Sequence, residues 1–203
     1  MGYLARIGLL LCLLVATTGV LAETLSARQA VQDATDKLLA KLVEVKPIYV
    51  ADPERFFAEV DTSLAPFIDF EGFSRGVMAK YYRRATDEQK TRFEEVFRRG
   101  LVRTYAKALV EFDNQRVDIT DSTSPEREAD RASVDLQITG QQGTIYLVNY
   151  NLVLLDNQWM LRNVTIEGIN IGLQFRSQFA AYMDQYGNDI DTVIANWSVD
   201  VKA

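Results

Sequence analysis

Residues 143–179 read GTIYLVNYNLVLLDNQWMLRNVTIEGINIGLQFRSQF, and this stretch decides the fold. Its first part alternates with a period of two, which predicts an apolar β-strand. A turn at Asp156-Asn157 leads to a second strand, whose apolar phase shifts between Leu161 and Val164. A β-bulge near Arg162-Asn163 would return these side chains to one face. The end of the stretch has helical spacing, so a curved hairpin should continue into an amphipathic helix.

The chain before this hairpin begins with helices and then changes to strands. Helices are predicted over 24–45, from Asp52-Pro53 to the residue before Pro66, and over Asp69 to Tyr82. A capping box at Thr86–Gln89 should open the longest helix, which runs to about Phe112. Strands follow at 116–120 and 132–138. This order favours an α+β fold in which a twisted antiparallel sheet packs against several helices.

The apolar face of the sheet, with the helix faces that cover it, is the candidate binding site. Every second residue of a strand lies on the same face of the sheet, so the apolar strand faces and the helices that cover them can enclose a pocket. The alternative is that the same residues enclose only a solid core. The predicted pocket wall consists of Phe73, Val77, Tyr105, Leu109, Val134, Leu136, Ile138, Tyr146, Val148, Tyr150, Leu152, Leu161, Val164, Ile166, Phe175 and Phe179.

The first 22 residues have the pattern of a cleaved signal peptide. Arg6 precedes an apolar run from Ile7 to Val15, and Val20-Leu21-Ala22 is a small-residue cleavage pattern. Cleavage would leave residues 23–203 as a single exported domain. Cys12, the one cysteine, would be removed, so we expect no disulfide in the mature protein.

The charge is unevenly distributed along the chain. There are 22 basic and 28 acidic residues, and loss of Arg6 leaves 21 against 28, or −7. A net acidic protein is not held on nucleic acid or anionic lipid by charge alone, so we expect no nucleic-acid partner. Residues 80–107 nevertheless carry nine basic and four acidic residues, a net of +5. This run is either a solvated helix face or a docking surface, for which the candidates are Arg83, Arg84, Arg98, Arg99 and Arg103.

Several kinds of catalytic site are excluded by composition. The chain has no histidine, and its only cysteine lies in the predicted leader, so histidine-dependent triads, thiol catalysis and Cys–His zinc sites have no residues to build them. No glycine-rich nucleotide loop is present. We therefore expect no metal, no cofactor and no enzymatic activity. The enzyme alternative that stays open is an isomerase-type site, because a buried carboxylate with a tyrosine in an apolar cup can transfer protons.

The motifs together resemble the toluene-tolerance family. The resemblance is carried by FIDFEGFSRGVM from Phe67, YRRATDEQK from Tyr82, the series Phe93, Phe97, Leu101 and Thr104-Tyr105, and the closing signature from Trp159 to Phe179. It covers almost all of the mature chain in order. The strand after Trp159 departs from it, because Asn163 stands where the family often has aspartate.

The resemblance implies a function as well as a fold. The family fold is a single α+β domain related to the NTF2-like cup, with an apolar cavity for the tails of a bound glycerophospholipid. The implied function is that of a monomeric periplasmic carrier that moves lipid between the outer and inner membranes and so maintains outer-membrane lipid asymmetry. The implied partners are an outer-membrane lipoprotein–porin complex and an inner-membrane ABC transporter with an MCE-domain subunit. A pure interaction module with a solid core is the third hypothesis.

Overall fold

The computed structural model describes residues 25–110, 116–121, 129–140 and 143–199. The predicted signal peptide and Phe112 lie outside these ranges. The α-helices are α1 (Ala27–Val45), α2 (Pro53–Leu64), α3 (Phe70–Met78), α4 (Asp87–Val110), α5 (Ile171–Gln185) and α6 (Ile190–Ala195). The strands are β1 (Arg116–Asp121), β2 (Arg131–Thr139), β3 (Ile145–Leu155), β4 (Gln158–Ile166) and β5 (Ile169–Asn170). The predicted α+β class is confirmed.

The helix starts follow from local hydrogen bonds that the sequence predicts. Ser26 and Gln29 form a capping box at the start of α1, and Thr86 and Gln89 form another before α4. Asp52 caps α2 through the N–H of Arg55 at 3.0 Å. The third helix is shorter than predicted. It ends at Met78, because Ala79 has a φ of +50° and a 3-10 helix continues to Arg84.

The five strands form one antiparallel sheet in sequence order. Asp156 and Asn157 both have positive φ, which gives the β3–β4 hairpin the twist that two-residue turns favour. The predicted bulge is confirmed. Asn151 lies opposite Asn163, whereas Leu152 lies opposite Leu161, so Arg162 is the additional residue.

Three groups of buried residues form the core. An aromatic core joins α3, the first half of α4, α5, α6 and the chain end near Trp197. A second group packs Ala27 and Val31 of α1 against the sheet. A third joins the second half of α1, α2 and the second half of α4. The three groups surround a space that none of them fills.

Glycine is required where the chain end crosses α4. A Cβ on Gly100 would collide with the side chain of Val199, and Thr104 Oγ1 donates a hydrogen bond to the Val199 carbonyl at 2.9 Å. The position of Gly100 in a buried stripe predicts such a close approach, with another backbone as the favoured neighbour. The nearest atoms belong to the Val199 side chain, and the Val199 backbone N lies 3.8 Å from the same position.

Candidate ligand cavity

A cavity of about 310 Å³ lies between the sheet and helices α1 to α4. Ligand pockets in proteins have volumes of about 300–1,000 Å³, so its size is at the lower end of that range. Its wall consists of Ala34, Thr35, Leu38, Ser63, Leu64, Phe67, Ile68, Phe70, Phe73, Leu101, Val102, Tyr105, Ala106, Leu109, Ile138, Val148, Tyr150, Leu161, Val164, Ile166 and Ile171.

The wall is almost wholly apolar. Its polar side chains are the hydroxyls of Thr35, Ser63, Tyr105 and Tyr150, and within the described ranges no charged side chain lines it. Burial raises the pKa of both Tyr105 and Tyr150, so each phenol stays neutral. Such a surface favours hydrocarbon and offers no counter-charge to an ion.

Part of the predicted pocket wall lines this cavity. The residues found there are Phe73, Tyr105, Leu109, Ile138, Val148, Tyr150, Leu161, Val164 and Ile166. The strand residues among them follow from register. Val148 lies opposite Ile166, and Tyr150 lies opposite Val164, so all four point to the same side of the sheet. Whether they bind a ligand stays a prediction.

The other predicted wall residues do not line the cavity. Val134, Leu136 and Leu152 are on the correct sheet face, but they pack inside the buried group that includes Ala27 and Val31 of α1, whereas Val148 of the same group reaches the cavity. Tyr146 is near the start of β3, beyond the helical cover, and is 46% exposed. The remaining three, Val77, Phe175 and Phe179, belong to the aromatic core. Alternation assigns a strand residue to a face, but it does not say which helix covers that residue.

The prediction omitted the side of the cavity formed by α1 and α2. Ala34, Thr35 and Leu38 come from α1, while Ser63 and Leu64 come from the end of α2. Ala34 and Leu38 lie in the apolar stripe of α1 that the sequence shows. That stripe could have identified α1 as a wall, but nothing in its spacing distinguishes it from an ordinary core face.

A hydrogen-bonded junction attaches the helices to the sheet beside the cavity. The N–H of Asp69 donates to the Leu161 carbonyl at 2.9 Å, and the N–H of Leu161 donates to the Phe67 carbonyl at 2.7 Å. The carboxylate of Asp69 caps α3 through the N–H of Gly72 at 2.8 Å and accepts from Arg162 Nε at 2.6 Å. The bulge residue is therefore ion-paired to a helix cap, and this pair holds Phe67 and Leu161 in the wall.

Asn163 belongs to a chain of amides on the outer face of the sheet. Its Nδ2 donates to Asn151 at 3.2 Å and to Asn170 at 3.1 Å, while its Oδ1 accepts from the N–H of Gly172 at 2.9 Å. An aspartate could accept the last bond but could not donate the first two. The residue that departs from the family pattern is thus used here as both donor and acceptor.

The candidate docking arginines differ in what they contact. Arg98 forms two hydrogen bonds of 2.7 Å with Asp61 and stacks over Phe70. Arg103 pairs with Glu54 and lies over the ring of Phe57. These two arginines link α4 to other helices. Arg83, Arg84 and Arg99 are exposed, so they remain the better candidates for a docking surface.

The described residues have two further properties. None of their helices is both long and apolar enough to cross a membrane. The same residues contain no group of three or more acidic, histidine or cysteine side chains placed to hold a metal ion.

Comparison with known proteins identifies the family. The family model described as "MlaC protein" matches residues 32–199. The toluene tolerance protein ttg2D of Pseudomonas putida is 38% identical over 193 residues, which cover 95% of this chain and 89% of that protein. The intermembrane phospholipid transport system binding protein MlaC of Haemophilus influenzae is 29% identical over 103 residues, covering 51% of this chain and 48% of that protein.

The fold is shared with a solved structure. A phospholipid-binding protein from Ralstonia solanacearum, solved in complex with a phospholipid, superposes with a TM-score of 0.76 at 23% identity, over 84% of this chain and 94% of that one. The similarity covers helices and sheet together. The chain therefore belongs to the MlaC, or toluene-tolerance, family.

Proposed function

We propose that the protein binds a glycerophospholipid whose acyl chains occupy the cavity. The observation that carries this proposal is a cavity lined by apolar side chains and hydroxyls, with no charged side chain from the described residues. Each buried methylene contributes about 0.8 kcal/mol, so two chains with about thirty methylenes would cost on the order of 20 kcal/mol to expose to water. A lipid leaves a membrane at a useful rate only when a carrier covers such chains.

The headgroup should remain at the cavity mouth. A phosphate inside the cavity would lose its hydration without gaining a counter-charge, which is unfavourable. The ligand named in the Ralstonia solanacearum structure, a phospholipid, supports this chemical class.

We further propose that the protein is an exported, monomeric carrier. The leader pattern at residues 1–22 would direct residues 23–203 to the periplasm as a single lipid-binding domain. There it would shuttle phospholipid between outer and inner membranes and maintain outer-membrane asymmetry. Its partners would be an outer-membrane lipoprotein–porin complex and an ABC transporter with an MCE-domain subunit. The Haemophilus influenzae relative, named for an intermembrane phospholipid transport system, supports this assignment.

An isomerase-type enzyme is less well supported. The cavity has two neutral phenols, but the described part of its wall contains no carboxylate to act as a base, and the chain has no histidine.

Mass spectrometry of detergent-free protein tests the ligand. The exported protein, purified from a Gram-negative host, should release a diacyl phospholipid on solvent extraction. It should also speed transfer of a fluorescent phospholipid between two vesicle populations. Protein that carries no diacyl lipid and does not accelerate transfer would contradict the proposal.

Charge reversal tests the docking surface. Arg83→Glu, Arg84→Glu and Arg99→Glu together should slow association with the partner complexes and weaken its salt dependence, while lipid content stays unchanged. Arg92→Glu is a matched control, because Arg92 lies on α4 with Arg99 but is already paired with Asp191 of α6 at 2.7 Å. Unchanged association at all salt concentrations would show that the exposed arginines are only a solvated face.

A further inference from the structure

Tyr150 is placed to contact a ligand from the floor of the cavity. It lies in the middle of β3, between Val134 on β2 and Val164 on β4. Its ring is 6.4 Å from that of Phe67, which also lines the cavity. The side chain lies at the centre of the sheet, is half-buried and lines the cavity.

The hydroxyl of Tyr150 has an unused hydrogen-bonding capacity. Among the described residues it has no hydrogen-bond partner, whereas the amides on the opposite face of the same strand are fully networked. Burial raises the pKa of this phenol, so it keeps its proton and can donate. This hydroxyl is not fully buried, unlike that of Tyr105, so a ligand in the cavity can reach it and supply the acceptor.

The chemistry of the wall limits what the acceptor can be. An anionic oxygen would need a cation nearby, and the described wall offers none. A neutral carbonyl can enter with its hydrocarbon chain and accept the phenolic proton. An acyl ester has such a carbonyl beside each chain, whereas an alkyl ether has only a weaker acceptor at that position.

We propose that the Tyr150 hydroxyl donates a hydrogen bond to an ester carbonyl of the bound lipid, and that this bond makes the cavity selective for acyl over alkyl glycerophospholipids. The inference rests on the proposed lipid-binding function and specifies the substrate class for that site. Tyr150 is thus a specificity-determining residue, while the apolar wall supplies most of the affinity.

The experiment compares dipalmitoyl phosphatidylcholine with its dihexadecyl ether analogue. The two lipids have the same headgroup and chain length, so they differ only in the ester carbonyls. Delipidated wild-type protein should bind the ester lipid about threefold to tenfold more tightly, the range expected for one neutral hydrogen bond. Tyr150→Phe should lose this preference by weakening ester binding alone, with ether binding unchanged.

Tyr105→Phe is the matched control. Tyr105 also lines the cavity and has no hydrogen-bond partner among the described residues, but its hydroxyl oxygen is already buried in the packing. This variant should retain the ester preference.

The outcomes separate the two proposals. Equal binding of both lipids by the wild type, or a preference that survives in Tyr150→Phe, would overturn this inference while leaving lipid binding intact. Failure of the wild type to bind either lipid would overturn the proposed function and this inference with it.

Discussion

The two halves of α4 carry one continuous apolar stripe but face very different surroundings. Phe93 and Phe97, in the first half, are fully buried and stack with ring centroids 5.7 Å apart. Rings from α5 and the chain end close around them, as shown by the 5.4 Å contact of Phe97 with Phe175 and the 5.1 Å contact of Phe93 with Trp197. The second half, which includes Tyr105 and Leu109, lines the cavity instead.

The difference shows that an apolar stripe on a helix does not determine whether the space it faces is filled by side chains or left as a cavity. The first half meets large aromatic side chains, which fill the space between helices. The second half meets Ala34 and Thr35 of α1 across the cavity, and its own Ala106 is also small. We infer that the side chains on this side have too little volume to fill the gap between α4 and the sheet. The surfaces that face the second half of α4 therefore determine that a cavity remains there.

The largest expected effect is a difference in unfolding free energy between substitutions in the two halves of α4. Phe97→Ala should lower the free energy of unfolding by about 3–5 kcal/mol, because it opens a hole in a filled core. Leu109→Ala should cost only about 1 kcal/mol, because Leu109 is half-buried and faces a space that already exists. Urea denaturation of the delipidated variants measures both values. Similar losses for the two variants would show that the halves of α4 are packed alike.

The next effect concerns the junction beside the cavity. Asp69→Ala removes a helix cap and leaves Arg162 without its ion pair, so we expect a loss of about 2–4 kcal/mol. Asp69→Asn, which can still cap α3, should lose less. Glu54→Ala is the control, since Glu54 and Arg103 are 67% and 46% exposed and such pairs contribute about 0–1 kcal/mol. If urea denaturation gave equal losses of unfolding free energy for Asp69→Ala and Glu54→Ala, the junction would not have the stabilising role described here.

A smaller effect tests the boundary between the two halves. Gly100→Ala would press a methyl group against Val199, so displacement of the chain end should cost about 1–3 kcal/mol. Gly76→Ala is the matched change in α3, where a Cβ meets no atom within 4 Å. It should stabilise the protein by about 0.5–1 kcal/mol through helix propensity. Thermal unfolding of both variants checks the signs, and a stabilising Gly100→Ala would exclude the close packing described for this site.

The smallest effect is a pH dependence at Glu94 on the packed half of α4. Burial, and then the charge of Glu71, raise the pKa of Glu94 above its ordinary value of 4.5. Ionisation is therefore less favourable in the folded state, and the contribution of this group to stability falls as pH rises from 4.5 through the raised pKa. Glu94→Gln should match the wild type at lower pH and become slightly more stable above this window. Denaturation curves across the window would contradict this account if the variant were the less stable protein at neutral pH.

Sequence reasoning succeeded where geometry is local. The turn at Asp156-Asn157, the bulge near Arg162-Asn163 and the capping box at Thr86–Gln89 all follow from short-range rules, and each is present. It was less successful for the cavity wall, because lining depends on which helix covers which strand. Leu136 and Val148 lie opposite each other, yet only Val148 lines the cavity.

The Asp69–Arg162 ion pair joins residues far apart in the chain. Neither residue has a local pattern that identifies its partner, so the sequence did not predict the pair. Three-dimensional packing was likewise needed to separate Arg98 and Arg103, which pair with Asp61 and Glu54, from the exposed arginines of the basic run.

The central claim, that one side of the molecule is hollow and holds lipid, is tested most directly by adding bulk to each side. Val148→Trp places an indole in the cavity wall, and Val77→Trp places one in the aromatic core. Bound phospholipid per protein is measured by mass spectrometry, and the unfolding free energy is measured on delipidated samples. We expect Val148→Trp to exclude lipid at little cost in stability, and Val77→Trp to retain lipid while losing about 1–3 kcal/mol. Retained lipid with a large loss of stability in Val148→Trp would show instead that Val148 belongs to a packed core.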